Sequence, residues 1–217
     1  GGLKVAVIGF TNANIKNWLS PKLWSGMEFK SLIPMAQELV DQVRKEEKPD
    51  VVIVATHTGC GSGDGTQYEG QGLDLYNSLE GVDFVVCAHD HRPVIHQNDS
   101  ICLVNAGSHC RNLGHGQIDL RFENGKLVSK KLSGELIYVD KKIVDEDMKA
   151  EFAADFKAVK DFTTMEVGTL MTDLRTRDSY AGMSDYLNLL HTLSLNCSPA
   201  QISFAAPLTF NGFVKKG

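Results

Sequence analysis

The stretch Phe84-Val85-Val86-Cys87-Ala88-His89-Asp90-His91 decides the fold class, because an apolar, β-branched run leads directly into a group of histidines. The same order occurs where Val51-Val52-Ile53-Val54 precedes His57. Such runs are typical of strands that are buried on both faces of a sheet. A third run, Leu3–Gly9, is followed by a helical pattern before the strand at residue 51. This β-α-β order implies a right-handed parallel crossover, so we predict an α/β fold.

The segments around these runs complete the predicted sheet. A helix is expected from Ser31 to Glu47, ending before Pro49. The glycine-rich stretch 59–72 lacks the Gly-Lys-Ser/Thr of a phosphate-binding loop and is expected to be a mobile surface loop beside His57. The dipeptide Asn124-Gly125 indicates a two-residue hairpin. The spacing predicts that the sheet ends with antiparallel strands. The later strands are expected at residues 93–97, 101–105, 116–122 and 126–139.

The pattern changes beyond residue 140. Residues 144–162 are expected to form one amphipathic helix, whose apolar stripe would contain Phe152, Phe156, Val159 and Phe162. A helix over about residues 180–195 and a strand over residues 201–205 would open a second domain.

Composition excludes several classes of protein. The chain has 217 residues, of which 42% are hydrophobic, and its formal net charge is −5. No long basic run is present, so binding to nucleic acid through an electrostatic footprint is not expected. No apolar stretch approaches the ~20 residues of a membrane-spanning helix. The five cysteines are odd in number and form no C-x-x-C pair, so they indicate neither a disulfide framework nor a zinc ribbon.

The histidines lie where strands of the predicted sheet end. In open α/β sheets this rim is where ligands bind, and imidazole is a common ligand of zinc, manganese and iron. If residues 89–91 are extended, His89 and His91 face one site while Asp90 points elsewhere. Because His57 also lies at a strand end, the pattern predicts that the three histidines form part of a metal centre. The alternative is that they are ordinary surface histidines. His109 also follows a strand and could join the rim, whereas structural roles are expected for His96, His115 and His191.

Five stretches, in the same order along the chain, resemble the metallophosphoesterases and in particular the bacterial 5′-nucleotidase and UDP-sugar hydrolase family. They are K-V-A-V-I-G-F-T, V-V-I-V-A-T-H-T-G, G-V-D-F-V-V-C-A-H-D-H, L-V-N-A-G-S-H-C-R-N-L-G-H-G-Q-I-D-L and A-Q-I-S-F-A-A-P-L-T-F-N-G. The third is similar to the family's G-H-x-H motif, with Ala88 in place of the usual glycine.

The resemblance implies a four-layer sandwich of mixed sheets and helices with two divalent metals, Zn, Mn, Fe or Co, which activate a hydroxide for attack on a phosphate ester. By this likeness His57 and His89 would bind one metal and His91 the other. Arg177 is similar to an arginine that holds the nucleotide, although a solvated linker arginine is an equal interpretation. Family members are commonly exported, which implies a periplasmic or cell-surface location and a role in nucleotide breakdown.

The chain departs from the family because it contains no D-x-H or G-N-H motif, which supply the bridging carboxylate and the leaving-group histidine. We therefore interpret it as an interior fragment, inactive alone, that binds at most one metal weakly. The expected parts are the second half of the catalytic domain at 1–140, a linker helix at 141–162 and the start of a nucleotide-binding domain at 163–217. Half a sandwich exposes an apolar edge and face, so self-association is expected.

Two other functions stay open at this point. A 2′,3′-cyclic-nucleotide phosphodiesterase would use the same metal core. A non-catalytic binding module would account for the missing first-half motifs and for the lack of an arginine in A-A-P-L-T-F-N-G, where the family has one.

Overall fold

The apolar, β-branched runs form the centre of a five-stranded sheet in the computed structural model, which describes residues 2–140 and 143–217. The chain divides into two units, which we call unit 1, ending at Ile143, and unit 2, from Val144 to Gly217. Unit 1 contains β1 (Val5–Phe10), α1 (Ile15–Trp18), α2 (Leu32–Glu46), β2 (Val51–Thr56), α3 (Gly72–Ser78), β3 (Phe84–Val86), β4 (Pro93–Gln97), β5 (Cys102–Ala106), β6 (Asn112–Glu123) and β7 (Lys126–Tyr138). Unit 2 contains α4 (Glu146–Glu151), α5 (Ala153–Thr163), β8 (Leu174–Arg175), α6 (Asp185–Asn196) and β9 (Phe213–Val214).

The main sheet has the strand order β1-β2-β3-β5-β4. Strands β1, β2, β3 and β5 are parallel, and β4 pairs with β5 in the antiparallel sense. The α/β fold with an antiparallel end is therefore confirmed. Since parallel strands all point the same way, the segments that leave β1, β2 and β3 meet at one edge of the sheet.

Two helices cover one face of this sheet. Helix α2 presents an apolar stripe because Leu32, Ala36 and Val40 recur at helical spacing, and all three are buried. They join a core that includes Leu75 of α3 and Leu103 of β5, both fully buried. The helix lies within one residue of its predicted bounds at either end.

A long hairpin, β6–β7, covers part of the other face. Asn124 and Gly125 both have positive φ, +51° and +76°, as the predicted two-residue turn requires. The hairpin approaches the sheet closely at Gly134, where a Cβ atom would lie 2.6 Å from the Cys102 sulfur, and at Gly116, where it would lie 2.8 Å from the Phe84 ring. Glycine is needed at both positions because any side chain would displace the core.

Strand β1 lies at the edge of the sheet and is not buried on both faces as its sequence predicts. Val5 is 51% exposed and Val7 is 64% exposed. Burial depends on what covers a strand, and neither the helices nor the hairpin covers this face. An apolar groove of about 970 Å³ runs between β1–β3 and β6.

Unit 2 differs from its predicted pattern in two places. The single helix predicted over 144–162 is two helices, α4 and α5, because Phe152 between them has ψ near 9° rather than a helical value. Residues 201–205 form no strand; the strand pairing in this unit joins β8 to β9. The predicted linker begins at residues 141–142, which lie outside the described residues. No helix in the described part of the chain is long and apolar enough to cross a bilayer.

Candidate metal site

The ends of β1, β2 and β3 are held together beyond the last residue of each strand. The His57 amide donates to the Phe10 carbonyl at 3.1 Å, and the Ala88 amide donates to the Thr58 carbonyl at 3.1 Å. These bonds continue the parallel pairing past the strands, so His57 and His89 emerge at the same edge.

The imidazoles of His57 and His89 contact each other. His57 Nε2 lies 3.3 Å from His89 Nδ1, and the ring centroids are 5.1 Å apart with nearly perpendicular planes. Two nitrogen ligands with bonds of about 2.1 Å to one tetrahedral cation would be separated by roughly 3.4 Å. The observed pair therefore fits two positions around one metal ion.

Two further side chains contact the His89 ring. Glu69 Oε1 lies 2.9 Å from His89 Nε2, on the opposite side of the ring from His57. The indole of Trp18 stacks on the ring face, with centroids 5.0 Å apart and planes 25° apart. His89 is thus contacted at both nitrogens and on one face.

The loop that carries Glu69 is anchored through its backbone. The Glu69 carbonyl accepts hydrogen bonds from Asn12 Nδ2, Thr58 Oγ1 and the Gly59 amide, at 3.0, 3.0 and 2.9 Å. Asn12 and Thr58 are almost completely buried. The glycine-rich stretch predicted to be a mobile surface loop is therefore folded back on the strand ends, and the tight apposition of Gly61 and Gly70 leaves no room for a side chain at either residue.

Asp90 anchors the segment between the two histidines of the H-D-H motif. Its Oδ2 accepts from the Cys60 amide at 2.8 Å, and its Oδ1 accepts from Asn105 Nδ2 at 2.8 Å. His89 and His91 both have positive φ, +89° and +58°. The extended geometry predicted for this segment is wrong, because left-handed residues turn the chain instead of directing alternate side chains to one side.

The structure places His91 beside His109 rather than in the His57–His89 contact. The His91 and His109 rings are 6.1 Å apart and nearly perpendicular. Among the residues that the structure describes, no group of three or more His, Cys, Asp or Glu side chains could hold a metal ion. The described residues thus bring two imidazoles into contact but do not form a complete coordination sphere.

The remaining sequence candidates lie elsewhere. His96 is near Tyr76, His115 pairs with Glu135 on the hairpin, and His191 lies 2.9 Å from Ser203 in unit 2. Arg177 is in unit 2, where its guanidinium lies 5.7 Å from the centroid of the Phe210 ring.

A pocket of about 260 Å³ adjoins the histidine pair. The residues that line it are Gly59, Gly61, Gln67, Glu69, Gly70, His89, Asp90 and Arg92. Arg92 gives the pocket one exposed cation, which lies 3.8 Å from Asp90.

Two thiols, of Cys60 and Cys87, belong to the buried core of unit 1. Cys60 and Cys87 hydrogen-bond to each other, which lowers the pKa of Cys60 and, together with burial, raises that of Cys87. All five cysteines are free, and Cys110 and Cys197 are exposed.

Sequence reasoning missed Glu69 and Trp18. Neither belongs to a periodic pattern, since Glu69 lies in a glycine-rich loop and Trp18 in a helix of four residues. The available signal was a carboxylate in the loop that directly follows the His57 strand.

The chain, with its sheet of mainly parallel strands, has the fold of solved calcineurin-like phosphoesterases. The calcineurin-like phosphoesterase YfkN of Bacillus subtilis superposes with a TM-score of 0.62 over 75% of this chain and 54% of its own, at 19% identity. A Staphylococcus aureus protein described as a 5′-nucleotidase superposes with a TM-score of 0.66 over 99% of this chain and 44% of its own, at 19% identity.

In sequence the chain is similar to curated bacterial proteins named UshA and 5′-nucleotidase. Protein UshA of Yersinia enterocolitica is 30% identical in an alignment that covers 76% of this chain and 32% of that protein. Other curated relatives are named 5′-nucleotidase. No protein-family model matches the chain. The resemblance predicted from the motifs is confirmed, and the chain spans about a third of the length of these curated relatives.

Proposed function

We propose that the protein containing this chain is a metal-dependent phosphoric ester hydrolase of the 5′-nucleotidase and UDP-sugar hydrolase type, acting on a nucleotide or a related phosphate ester. The observation that supports this most directly is the 3.3 Å separation of His57 Nε2 and His89 Nδ1 at the carboxyl edge of a parallel sheet. Bound divalent cations supply Lewis acidity toward a phosphoryl group.

In this proposal His57 and His89 hold one cation, and His91 contributes to a second. Two divalent ions of Zn, Mn, Fe or Co suit a site of imidazole and carboxylate ligands. His91 would reach the second ion from the segment beside His109, with the other ligands supplied by D-x-H and G-N-H motifs outside this chain. The chain alone is then inactive and binds at most one metal weakly.

The second part of the protein would hold the substrate. We assign residues 1–140 to the second half of the catalytic domain, 141–162 to the linker and 163–217 to the start of the nucleotide-binding domain. Arg177 is the candidate contact to the nucleotide, because it resembles an arginine with that role in the family. Its side chain is exposed, and its guanidinium lies 5.7 Å from the centroid of the Phe210 ring. A periplasmic or cell-surface location is proposed from the family resemblance.

The apolar groove between β1–β3 and β6 supports a further proposal, that this chain alone associates with a second copy of itself. The edge strand β1 leaves backbone donors and acceptors unpaired beside exposed Val5 and Val7. Light scattering should give more than the monomer mass, and a Val7→Lys variant should shift the chain toward the monomer. A monodisperse monomer of the unchanged chain contradicts the proposal.

The test of function uses the protein encoded by the full reading frame, loaded with Mn²⁺, Zn²⁺ or Co²⁺. AMP, UDP-glucose and 2′,3′-cyclic AMP are assayed in parallel, so that turnover of the cyclic nucleotide alone indicates the phosphodiesterase alternative. His57→Ala and His89→Ala should each reduce turnover at least roughly 100-fold, whereas His115→Ala, on the hairpin, should not. No metal-dependent turnover of any of the three esters contradicts an enzymatic function and favours a binding module.

A further inference from the structure

We propose that Glu69 is a positioning residue for His89, an inference that rests on the proposed metal-dependent function. The carboxylate would fix which ring nitrogen of His89 carries the proton and would thereby direct the other nitrogen at the cation. Glu69 belongs to none of the motifs that carry the family resemblance, and the role follows from its contacts alone.

The protonation of the ring follows from the chemistry of its partner. An ionised carboxylate only accepts hydrogen bonds, so the nitrogen 2.9 Å from Glu69, Nε2, carries the hydrogen when the imidazole is neutral. The other nitrogen, Nδ1, then presents its lone pair. That nitrogen is the one that lies 3.3 Å from His57 Nε2, at the spacing of two ligands of one ion. Carboxylates that orient metal-binding imidazoles in this way are a general feature of metal sites.

The way Glu69 is held indicates a role in geometry. Its side chain is 57% exposed, so its contact with His89 contributes little to folding. Its backbone carbonyl nevertheless receives three hydrogen bonds, from Asn12, Thr58 and Gly59. Buried polar groups therefore fix the backbone of a residue whose carboxylate reaches one ring nitrogen.

Trp18 completes the restraint on the ring. A hydrogen bond at Nε2 still permits rotation about the axis through that bond, and an indole stacked at 5.0 Å on the ring face opposes this rotation. Both the tautomer and the ring plane of His89 are thus defined before a cation binds.

The chain contains a matched control for this contact. On the hairpin, Glu135 Oε1 lies 2.9 Å from His115 Nδ1, so the same two residue types are paired at the same distance. This second pair lacks a neighbouring imidazole among its described contacts. Glu135→Gln therefore reports what the loss of such a carboxylate does away from the candidate site.

The experiment compares the unchanged protein, Glu69→Gln, Glu69→Ala and Glu135→Gln. Without metal, ¹⁵N spectra of the histidine rings should show one Nε2–H tautomer for His89 in the unchanged protein and a mixture in both Glu69 variants. Isothermal titration with Zn²⁺ should give a 10- to 100-fold weaker site in these variants and unchanged binding in Glu135→Gln. Thermal unfolding should be the same in all four proteins, because the Glu69 backbone contacts are retained.

The outcomes separate this proposal from the proposed function. An unchanged His89 tautomer in the Glu69 variants, or Zn²⁺ binding within threefold of the unchanged protein, overturns the positioning role whatever the esterase assay gives. A changed tautomer together with the loss of Zn²⁺ affinity supports it, even where no phosphate ester is hydrolysed.

Discussion

Unit 1 contains a buried apolar core, whereas unit 2 leaves most of its apolar residues exposed. Val40, Val52, Val85 and Leu103 in unit 1 are completely buried. Among the described residues of unit 2, Leu174 is the one apolar side chain that is buried, while Phe204 is 95% exposed and Leu208 is 94% exposed. The apolar stripe predicted for the helix after residue 144 is also exposed, since Phe152, Phe156, Val159 and Phe162 are between 52% and 74% exposed.

The two units therefore differ in the contacts that the structure describes. In unit 1 the stabilising term is removal of apolar surface from water. In unit 2 the described contacts are mostly local hydrogen bonds. Asp145 and Ser184 cap α4 and α6 through their side chains, and Thr176 bonds to Gly212 across the strand pair. Both tryptophans, Trp18 and Trp24, lie in unit 1, so tryptophan fluorescence, excited selectively over tyrosine, follows that unit alone.

The largest loss of stability is expected from truncating a side chain in the core of unit 1. Leu103→Ala should lower the free energy of unfolding by about 3 kcal/mol, because it leaves a cavity in a fully buried site. Leu208→Ala, the same truncation at an exposed site of unit 2, should change it by less than about 0.5 kcal/mol. Urea unfolding followed by fluorescence and by far-UV circular dichroism measures both variants. Equal losses of unfolding free energy would contradict the difference between the two units.

A smaller loss is expected at the buried carboxylate of unit 1. Asp83 accepts from the Val52 amide at 2.7 Å, from Lys130 Nζ at 2.9 Å and from Arg44 Nη2 at 3.1 Å. Asp83→Asn removes the charge and replaces an acceptor with a donor, so it should cost about 2 kcal/mol. Fluorescence-detected urea unfolding provides the measurement. Glu123→Gln, which changes an exposed hairpin pair, is the control and should be near neutral.

Unit 2 should respond to loss of a hydrogen bond more than to loss of apolar surface. Thr176 is buried, and its hydroxyl accepts from the Gly212 amide at 2.8 Å. Thr176→Val keeps the shape and removes this bond, so it should destabilise unit 2 by about 1 kcal/mol. Circular dichroism should detect the change while the fluorescence transition stays in place. A shift no larger than that of Thr169→Val, at an exposed threonine, would contradict this account.

The local pattern of the sequence predicted most of unit 1. The β-branched runs predicted β2 and β3, the apolar spacing after Ser31 predicted α2, and Asn124-Gly125 predicted the hairpin. These elements could be predicted because each of them depends on residues that are close in sequence. The exposure of β1 could not be predicted in this way. Its sequence is as apolar as that of β2, and only the sheet order shows that β1 lies at an uncovered edge.

The same limit applies to the candidate site. The rule that parallel strands end at one edge brought His57 and His89 together, as observed. It did not predict the backbone at His91, because the positive φ angles of His89 and His91 are not part of a strand pattern. Asp90, between them, bonds to residues 15 and 30 positions away in sequence. The contact between Glu69 and His89 could not be predicted either, because a loop has no periodic pattern from which the neighbours of its residues can be inferred.

The smallest effect is expected from an exposed ion pair that joins β1 to the end of α2. Lys4 Nζ donates to Glu47 Oε2 at 2.6 Å, and this bond holds the pKa of Glu47 below its usual value. A depressed pKa means that the pair stabilises the folded chain above the ordinary glutamate pKa of about 4.3 and that this stabilisation is lost as the pH falls further. Lys4→Met should therefore flatten the acid side of the fluorescence-detected stability curve slightly.

A matched substitution in unit 2 serves as the control for Lys4→Met. Lys157→Met removes an exposed pair with Asp161, one helical turn away and 2.5 Å apart. Because both tryptophans report unit 1, this variant should leave the fluorescence-detected acid transition unchanged, and only circular dichroism should register any effect. If Lys157→Met flattened the fluorescence curve as much as Lys4→Met, the two units would unfold as one, and the separation of a packed unit from a hydrogen-bonded one would have to be abandoned.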